Sequence, residues 1–243
     1  MKQIMITGAN GQLGSFLAKN YYQEGYRLVL LYHRRTDRID GLLAKSEVLA
    51  ERIDLSDYAG LNGLMANRKV YPDVLIHCAS LRSSDAKALT ETDPAMFKSV
   101  IETNLLSAYH VLRAVLPEMQ EKGFGRVILM GSNVTRSGLA QGSAYAAAKA
   151  AIVNLGKSVA RELAKANVLI NSVSPAPVET DLEADYQGEY LGFRKAYFAE
   201  YLNNVPSGKL VTKLELKKVI DLLISDEIAN LTGQEIFIEG GMP

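Results

Sequence analysis

Three side chains suited to acid catalysis lie close together in the second half of this 243-residue chain: Ser132, Tyr145 and Lys149. Tyr145 and Lys149 are four residues apart in an alanine-rich stretch, which favours a helix. One helical turn then places both side chains on the same face, where the ammonium group stabilises the phenolate. The pattern predicts a tyrosine whose pKa falls from its usual value of about 10, so that it can give a proton to an oxygen atom.

Ser132 and a further polar residue, Asn104, are predicted to complete this catalytic group. Ser132 follows the apolar run 126–130, at the carboxyl end of a predicted parallel strand, where its hydroxyl can donate to a carbonyl oxygen. The alternative for Ser132 is a loop or capping role. Asn104 is a poor helix former inside a long predicted helix, where it either kinks the helix or holds a water beside Lys149 for proton relay.

The chain opens with a short predicted strand followed by Thr7-Gly-Ala-Asn-Gly-Gln-Leu-Gly14. Glycines at this position let the backbone approach a pyrophosphate, and the following helix N-terminus favours negative charge. We therefore predict a dinucleotide-binding turn. The alternative is a glycine-rich strand-to-helix turn that binds no ligand. The residues predicted to bind are Gly8, Asn10, Gly11, Gln12, Leu13 and Gly14.

The end of the second predicted strand indicates which dinucleotide binds. NAD-preferring folds usually place an acid here, whereas this chain has His33, Arg34 and Arg35. Guanidinium groups pair with a 2′-phosphate, so these three residues predict NADP(H) rather than NAD(H). A solvated basic turn is the alternative. Asp54 and its neighbour Leu55 are predicted to contact the adenine, although Asp54 is also suited to capping the next helix.

Short apolar runs alternate with longer helical segments, which predicts an α/β fold: a Rossmann-type, doubly wound parallel β-sheet flanked by helices, in a single domain over residues 1–243. The predicted strands are 3–6, 27–31, 74–78, 126–130, 168–172 and 235–238, and the predicted helices are 13–23, 58–67, 94–122, 143–166 and 213–225. Residues 181–210 begin with an aromatic-rich stretch and are predicted to form a substrate-binding lid, with packing under a loop as the alternative for these rings.

Composition narrows the class of protein. Lysine plus arginine equals aspartate plus glutamate at 27 each, so no overall field attracts nucleic acid or anionic lipid. Cys78 is the only cysteine, which excludes an intrachain disulfide. No leader-like or spanning apolar run is present, and we expect a cytoplasmic protein with no membrane partner and no metal.

Taken together, these motifs resemble the short-chain dehydrogenase/reductase family, single-domain branch, over nearly the whole chain. The matching pieces are the glycine turn, Asp54, Ala79, Asn104, Ser132, Tyr145, Lys149, residues 175–180 and the ending Leu-Thr-Gly-Gln-Glu-Ile-Phe-Ile-Glu-Gly-Gly. The resemblance implies that Tyr145 is the general acid, Ser132 orients the carbonyl, and Asn104 completes the relay. It also implies that Lys149 binds the nicotinamide ribose, and that Pro175, Val178 and Thr180 lie at the carboxamide end.

Three positions depart from the family pattern. The Thr-Gly-x-x-Gly-x-x-Gly spacing looks more like the family's extended branch, which includes epimerases and dehydratases. The strand end reads His77-Cys-Ala-Ser80 where Asn-Asn-Ala-Gly is usual, and Ala176 stands where glycine is usual. None of these departures removes a catalytic group.

The resemblance leads us to expect an NADPH-dependent carbonyl reductase, similar to the 3-oxoacyl reductases that act on acyl-carrier-protein or CoA thioesters. Reduction of a pteridine or another small ketone is an alternative, since Leu31-Tyr-His-Arg34 also looks like the family's pteridine reductases. A catalytically silent NADP(H)-binding regulator is an alternative of another class. Because the two long helices pair between subunits in this family, we expect a homo-oligomer, either a dimer or a homotetramer.

Overall fold

Short apolar runs in this sequence form a seven-stranded parallel sheet in the computed structural model, which describes residues 1–82 and 86–242. The strands lie in the order β3-β2-β1-β4-β5-β6-β7. The chain order reverses between β1 and β4, and parallel sheets bind ligands at the carboxyl ends of such neighbouring strands. The strands are β1 Gln3–Thr7, β2 Arg27–Tyr32, β3 Val48–Arg52, β4 Val74–His77, β5 Gly125–Met130, β6 Val168–Pro175 and β7 Glu235–Ile238.

Helices cover both faces of the sheet, and each face has its own apolar core. Ile4, Ile6 and Ile128 point to one core, whereas Met5, Val127 and Leu129 point to the other, as the alternation of a strand requires. The α-helices are α1 Gln12–Gln23, α2 Asp40–Leu43, α3 Tyr58–Arg68, α4 Pro94–Ile101, α5 Ser107–Lys122, α6 Val134–Ser137, α7 Ser143–Leu163, α8 Gly188–Asn204 and α9 Lys213–Leu223. The predicted single-domain Rossmann-type fold is confirmed.

Besides the short helices α2 and α6, which were not predicted, the structure departs from the predicted elements in three places. Strand β3 was not predicted, because it lies at the sheet edge, is only partly buried and ends in Glu51 and Arg52. The predicted helix 94–122 is divided by a π-helical turn, Glu102–Leu106, between α4 and α5. Residues 188–204, expected only as part of an aromatic lid, form the helix α8.

Of the helices in the described part of the chain, none combines the length and the apolar character that a membrane span needs.

Candidate active site

The glycine turn after β1 packs tightly against the strand beside it. Gly8 has a φ of +63°, and a Cβ there would lie 2.7 Å from the Ala79 nitrogen. At Gly14 a Cβ would lie 2.4 Å from the Gly8 carbonyl oxygen. Gly11 is the N-cap of α1 and has no side chain to satisfy the helix N-terminus. The exposed N–H groups and the absence of side chains fit a pyrophosphate.

Side chains of the glycine turn also hold the segment that leads into α8. The Gln12 amide nitrogen donates to the Asp181 carbonyl oxygen at 2.6 Å and to the Asp185 carboxylate at 2.8 Å. Arg38 pairs with Asp185 at 2.7 Å, and its backbone N–H donates to the Asn10 side chain at 2.9 Å. The contact between Arg38 and Asp185 was not predicted, because no local sequence pattern links residues this far apart.

The three basic residues after β2 all have exposed side chains. Arg35 lies 3.4 Å from the Asp37 carboxylate, and the His33 imidazole lies 3.9 Å from the Asp54 carboxylate. Arg34 forms no ion pair with the described residues and is directed to solvent. This leaves Arg34 with the least compensated charge of the three.

Asp54 does not cap the following helix. It accepts hydrogen bonds from the Ser56 backbone N–H at 2.9 Å and from the Ser56 hydroxyl at 2.8 Å. The N-cap of α3 is Asp57, whose carboxylate accepts from the Gly60 N–H at 2.9 Å. The neighbouring Leu55 is half-buried, and its carbonyl contacts the His110 ring at 2.9 Å.

A cavity of about 540 Å³ extends from the glycine turn to Tyr145, along the carboxyl edge of the sheet. The predicted residues that line it are Gly8, Gly11, Gln12, Leu13, Gly14, Ser132, Tyr145, Lys149, Pro175, Val178 and Thr180. The predicted residues outside its lining are Asn10, His33, Arg34, Arg35, Asp54, Leu55, Ala79 and Asn104. The cavity therefore joins the predicted phosphate turn to the predicted acid.

Helix α7 carries Tyr145 and Lys149 on one face, as the four-residue spacing predicts. Both are almost fully buried, and the Lys149 ammonium group lies 5.7 Å from the centre of the Tyr145 ring. The same ammonium group donates to the Met130 carbonyl at the end of β5, at 2.6 Å. Ser132, two residues after Met130, is also buried, and it lines the same cavity as Tyr145 and Lys149.

The charges around Tyr145 favour its ionised form. Burial by itself raises the pKa of Tyr145, but the positive charges of Arg82 and Lys149, the Ser132 hydroxyl and then Arg194 outweigh it and lower the pKa below its ordinary value. Burial lowers the pKa of Lys149; a charged Tyr145 opposes that shift, and Arg82 adds to it. The arrangement is suited to proton transfer by the tyrosine.

Asn104 is fully buried in the π-helical turn. Its amide nitrogen donates to the carbonyls of Val100 and Leu81, each at 2.7 Å. Its amide oxygen accepts from the Ser80 hydroxyl at 2.9 Å and the Leu81 N–H at 3.1 Å. The predicted distortion of the helix is therefore present, and the Asn104 side chain anchors the loop that leads to Arg82. The proton relay stays a prediction.

Two arginines at the catalytic end of the cavity were missed by sequence reasoning. The Arg82 guanidinium lies 4.5 Å from the centre of the Tyr145 ring. Arg194, on α8, is only 3% exposed and lies among aromatic rings. The one available signal was an arginine at helical spacing from Tyr190, Tyr197 and Phe198, in a helix that sequence reasoning did not predict.

Comparison with known families agrees with this geometry. Residues 8–243 match a family model described as "Enoyl-(Acyl carrier protein) reductase". The 3-oxoacyl-[acyl-carrier-protein] reductases of Salmonella typhimurium and Escherichia coli K12 are each 30% identical to this chain, over 99% of it and 97% of their own length. The chain belongs to the short-chain dehydrogenase/reductase family. The resemblance inferred from the motifs is confirmed, and with it an oxidoreductase class that acts on C=O and CH–OH groups.

Solved structures of this family superimpose closely on the chain. A 4-hydroxyisoleucine dehydrogenase complexed with NADH has a TM-score of 0.88 at 27% identity, covering 99% of this chain and 98% of that one. Levodione reductase has a TM-score of 0.87 at 25% identity, covering 99% and 96% of the two chains.

Proposed function

We propose that this protein reduces a carbonyl group to an alcohol with NADPH, and that Tyr145 supplies the proton. The observation that carries the proposal is the shared cavity: Ser132, Tyr145 and Lys149 line one end, and the glycine turn lines the other. A protein that only binds a nucleotide needs no buried tyrosine and lysine beside the site. This favours the reductase over the silent regulator.

The residues around the cavity fit a nicotinamide dinucleotide. The backbone of Gly8 and Gly14 leaves no room for side chains, as close approach of a pyrophosphate requires. When bound, the cofactor supplies a hydride to the carbonyl carbon. We assign Lys149 to the nicotinamide ribose, Pro175, Val178 and Thr180 to the carboxamide end, and Ala79, Asp54 and Leu55 to the adenosine side.

The chain's own residues act on the carbonyl oxygen. The Ser132 hydroxyl donates a hydrogen bond to it and orients the substrate. The Tyr145 hydroxyl gives its proton to the same oxygen as negative charge develops there, so that the product is a neutral alcohol. Lys149, held by the Met130 carbonyl, stabilises the tyrosinate that remains. We propose that Asn104 contributes to returning the proton through Lys149.

NADPH is the cofactor form that the end of β2 supports. No acid is present among residues 31–35 to accept from the ribose hydroxyls, and Arg34 is exposed and forms no ion pair with the described residues, which suits it to a 2′-phosphate. His33 and Arg35 are placed on either side of it. The related 4-hydroxyisoleucine dehydrogenase was solved with NADH, so the experiment compares turnover with NADPH and with NADH.

The names of the related enzymes make a 3-oxoacyl group carried on acyl carrier protein the first substrate to test, and we propose the CoA thioester as the second. The reduction of a pterin gains no support from the aromatic lid segment, since the rings of Tyr186, Tyr197 and Phe198 already pack against the Arg194 guanidinium. We propose that residues 181–210, which include α8, form the lid over this substrate.

The test is NADPH oxidation with a panel of 3-oxo compounds, repeated with NADH and with Tyr145→Phe. We expect faster turnover with NADPH, and a loss of about 100-fold or more in kcat for Tyr145→Phe, because proton donation is removed while the ring is kept. Tyr71→Phe, at an exposed tyrosine away from the cavity, is the matched control and keeps its activity. Full activity in Tyr145→Phe contradicts the acid role.

A further inference from the structure

Arg194 is a buried cation whose hydrogen bonds are not satisfied. It is 3% exposed, and its Nε and Nη1 atoms are enclosed without an acceptor among the residues that the structure describes. Its guanidinium carbon lies 5.8, 5.3 and 5.0 Å from the ring centres of Tyr186, Tyr197 and Phe198. Ring faces attract the charge, but they do not replace acceptors for the in-plane N–H groups. The site therefore presents buried N–H donors of Arg194 that a bound acceptor can satisfy.

A second arginine brings its charge to the same place. Arg82 lies over the Tyr145 ring, and its charge adds to burial in lowering the pKa of Arg194. Among the described residues that line the cavity, Asp185 is the one carboxylate, and it is already paired with Arg38 and bonded to Gln12. Two guanidinium groups and the Lys149 ammonium thus converge on the catalytic end without an opposing carboxylate from the described lining.

We propose that Arg82 and Arg194 bind a carboxylate of the substrate beside the carbonyl that Tyr145 protonates. The inference rests on the proposed reaction and specifies its substrate class as an oxo acid. A carboxylate offers two acceptor oxygens to the planar guanidinium group, which gives strong and directional recognition.

The position of the two arginines distinguishes this anion from others that enter the cavity. The cofactor pyrophosphate is assigned to the glycine turn, at the end of the cavity opposite Tyr145, and the 2′-phosphate is assigned to Arg34, outside the cavity lining. The phosphate of an acyl carrier or of CoA is separated from the 3-oxo group by a long flexible arm. In a free 3-oxo acid, by contrast, one methylene joins the carboxylate to the carbonyl, so the charge lies next to the reacting oxygen.

Binding is tested first, without turnover. Acetoacetate, methyl acetoacetate and inorganic phosphate are each titrated by calorimetry into the enzyme saturated with NADP⁺. We expect the wild-type enzyme to bind acetoacetate at least about 10-fold more tightly than its methyl ester, because charge-assisted hydrogen bonds contribute about 1.5–3 kcal/mol. Equal binding of acid and ester, no binding of the acid, or binding of phosphate alone overturns the proposal.

Arg194→Met then removes the charge and keeps an apolar side chain of similar reach. We expect the preference for acetoacetate over the ester to disappear in binding and in kcat/KM, whereas the affinity for NADPH stays within about 3-fold of wild type. Arg194→Lys keeps the charge without the planar fork and recovers part of the preference. Lys218→Met, at an exposed lysine on α9 outside the lid segment and the cavity lining, is the control and changes neither.

Several outcomes separate this inference from the proposed function. Removing an unpaired buried charge need not unfold the protein, and thermal melting of Arg194→Met checks this. If Tyr145→Phe abolishes reduction while the wild-type enzyme prefers acetoacetyl-CoA or the ester to acetoacetate, the reaction stands and the carboxylate site is wrong. If Tyr145→Phe keeps its activity and acetoacetate still depends on Arg194, the acid role is wrong and the anion site stands.

Discussion

At the scale of single residues, the spacing of Tyr145 and Lys149 was readable from the sequence, but the charges that tune Tyr145 were not. Arg82 is 63 positions before Tyr145, and its guanidinium nevertheless contributes more than Lys149 to lowering the tyrosine pKa. A motif search reports the partner one helical turn away. It does not report Arg82, a cation that reaches the Tyr145 ring from the loop after β4.

This arrangement predicts how activity depends on pH. In the proposed mechanism reduction needs Tyr145 protonated, so we expect activity to fall as pH rises through its lowered pKa. Arg82→Met removes the positive charge over the ring, so the pKa of Tyr145 rises and the alkaline limb moves to higher pH. The measurement is kcat/KM against pH with methyl acetoacetate, which has no carboxylate for Arg82 to bind.

Arg161→Met is the matched control, since this exposed arginine lies on the same helix several turns from Tyr145. We expect its alkaline limb to coincide with that of the wild-type enzyme. An Arg82→Met profile that coincides with both excludes Arg82 as the group that tunes Tyr145.

At the scale of elements, the glycine turn packs directly against the first turn of α1. A Cβ at Gly14, in α1, would lie 2.4 Å from the carbonyl oxygen of Gly8, in the turn. Sequence reasoning recognised the turn from its glycines and from its place after the first strand. The same pattern does not predict the contacts that Gln12 and Arg38 make with Asp181 and Asp185. These contacts join the turn to the segment before α8. Those bonds connect the cofactor end of the cavity to the segment that carries Arg194.

The close packing of the turn predicts a sharp effect of one methyl group. In Gly14→Ala, the new Cβ would lie 2.4 Å from the Gly8 carbonyl oxygen, a backbone atom that has no rotamer to move to. We expect NADPH affinity to fall at least about 10-fold, as the turn shifts away from its phosphate-binding geometry. Fluorescence titration of NADPH measures this.

Gly41→Ala provides the control for this substitution, because no atom lies within 4 Å of a Cβ built at Gly41. Its NADPH affinity should match that of the wild-type enzyme. If Gly14→Ala also binds NADPH as the wild type does, the turn does not depend on its glycine for phosphate contact.

At the scale of the whole molecule, the sheet order places the turn after β1 and the ends of β4, β5 and β6 along one edge. Membership in the family also supports our proposal of a homo-oligomer, a dimer or tetramer, that pairs through the long helices. Leu106 and Tyr109, at the junction of the π-helical turn and α5, are large apolar side chains exposed on that surface.

This proposal predicts a change of mass on substitution. Tyr109→Glu places a charge in the expected contact, so light scattering should show a shift from dimer or tetramer toward monomer at micromolar concentration. Tyr71→Glu, at a comparably exposed tyrosine outside the long helices, should leave the mass unchanged. A monomeric wild-type protein contradicts the proposed assembly.

The sequence by itself determined the fold class, the glycine turn after β1 and the spacing of Ser132, Tyr145 and Lys149, since strand length, helical periodicity and glycine placement act over a few residues. Only the tertiary structure decided that Arg82 and Arg194, 112 positions apart, share the catalytic end of the cavity. It also decided that a π-helical turn anchors the loop before Arg82. Contacts between distant segments depend on how the whole chain packs, and local patterns carry little information about such packing.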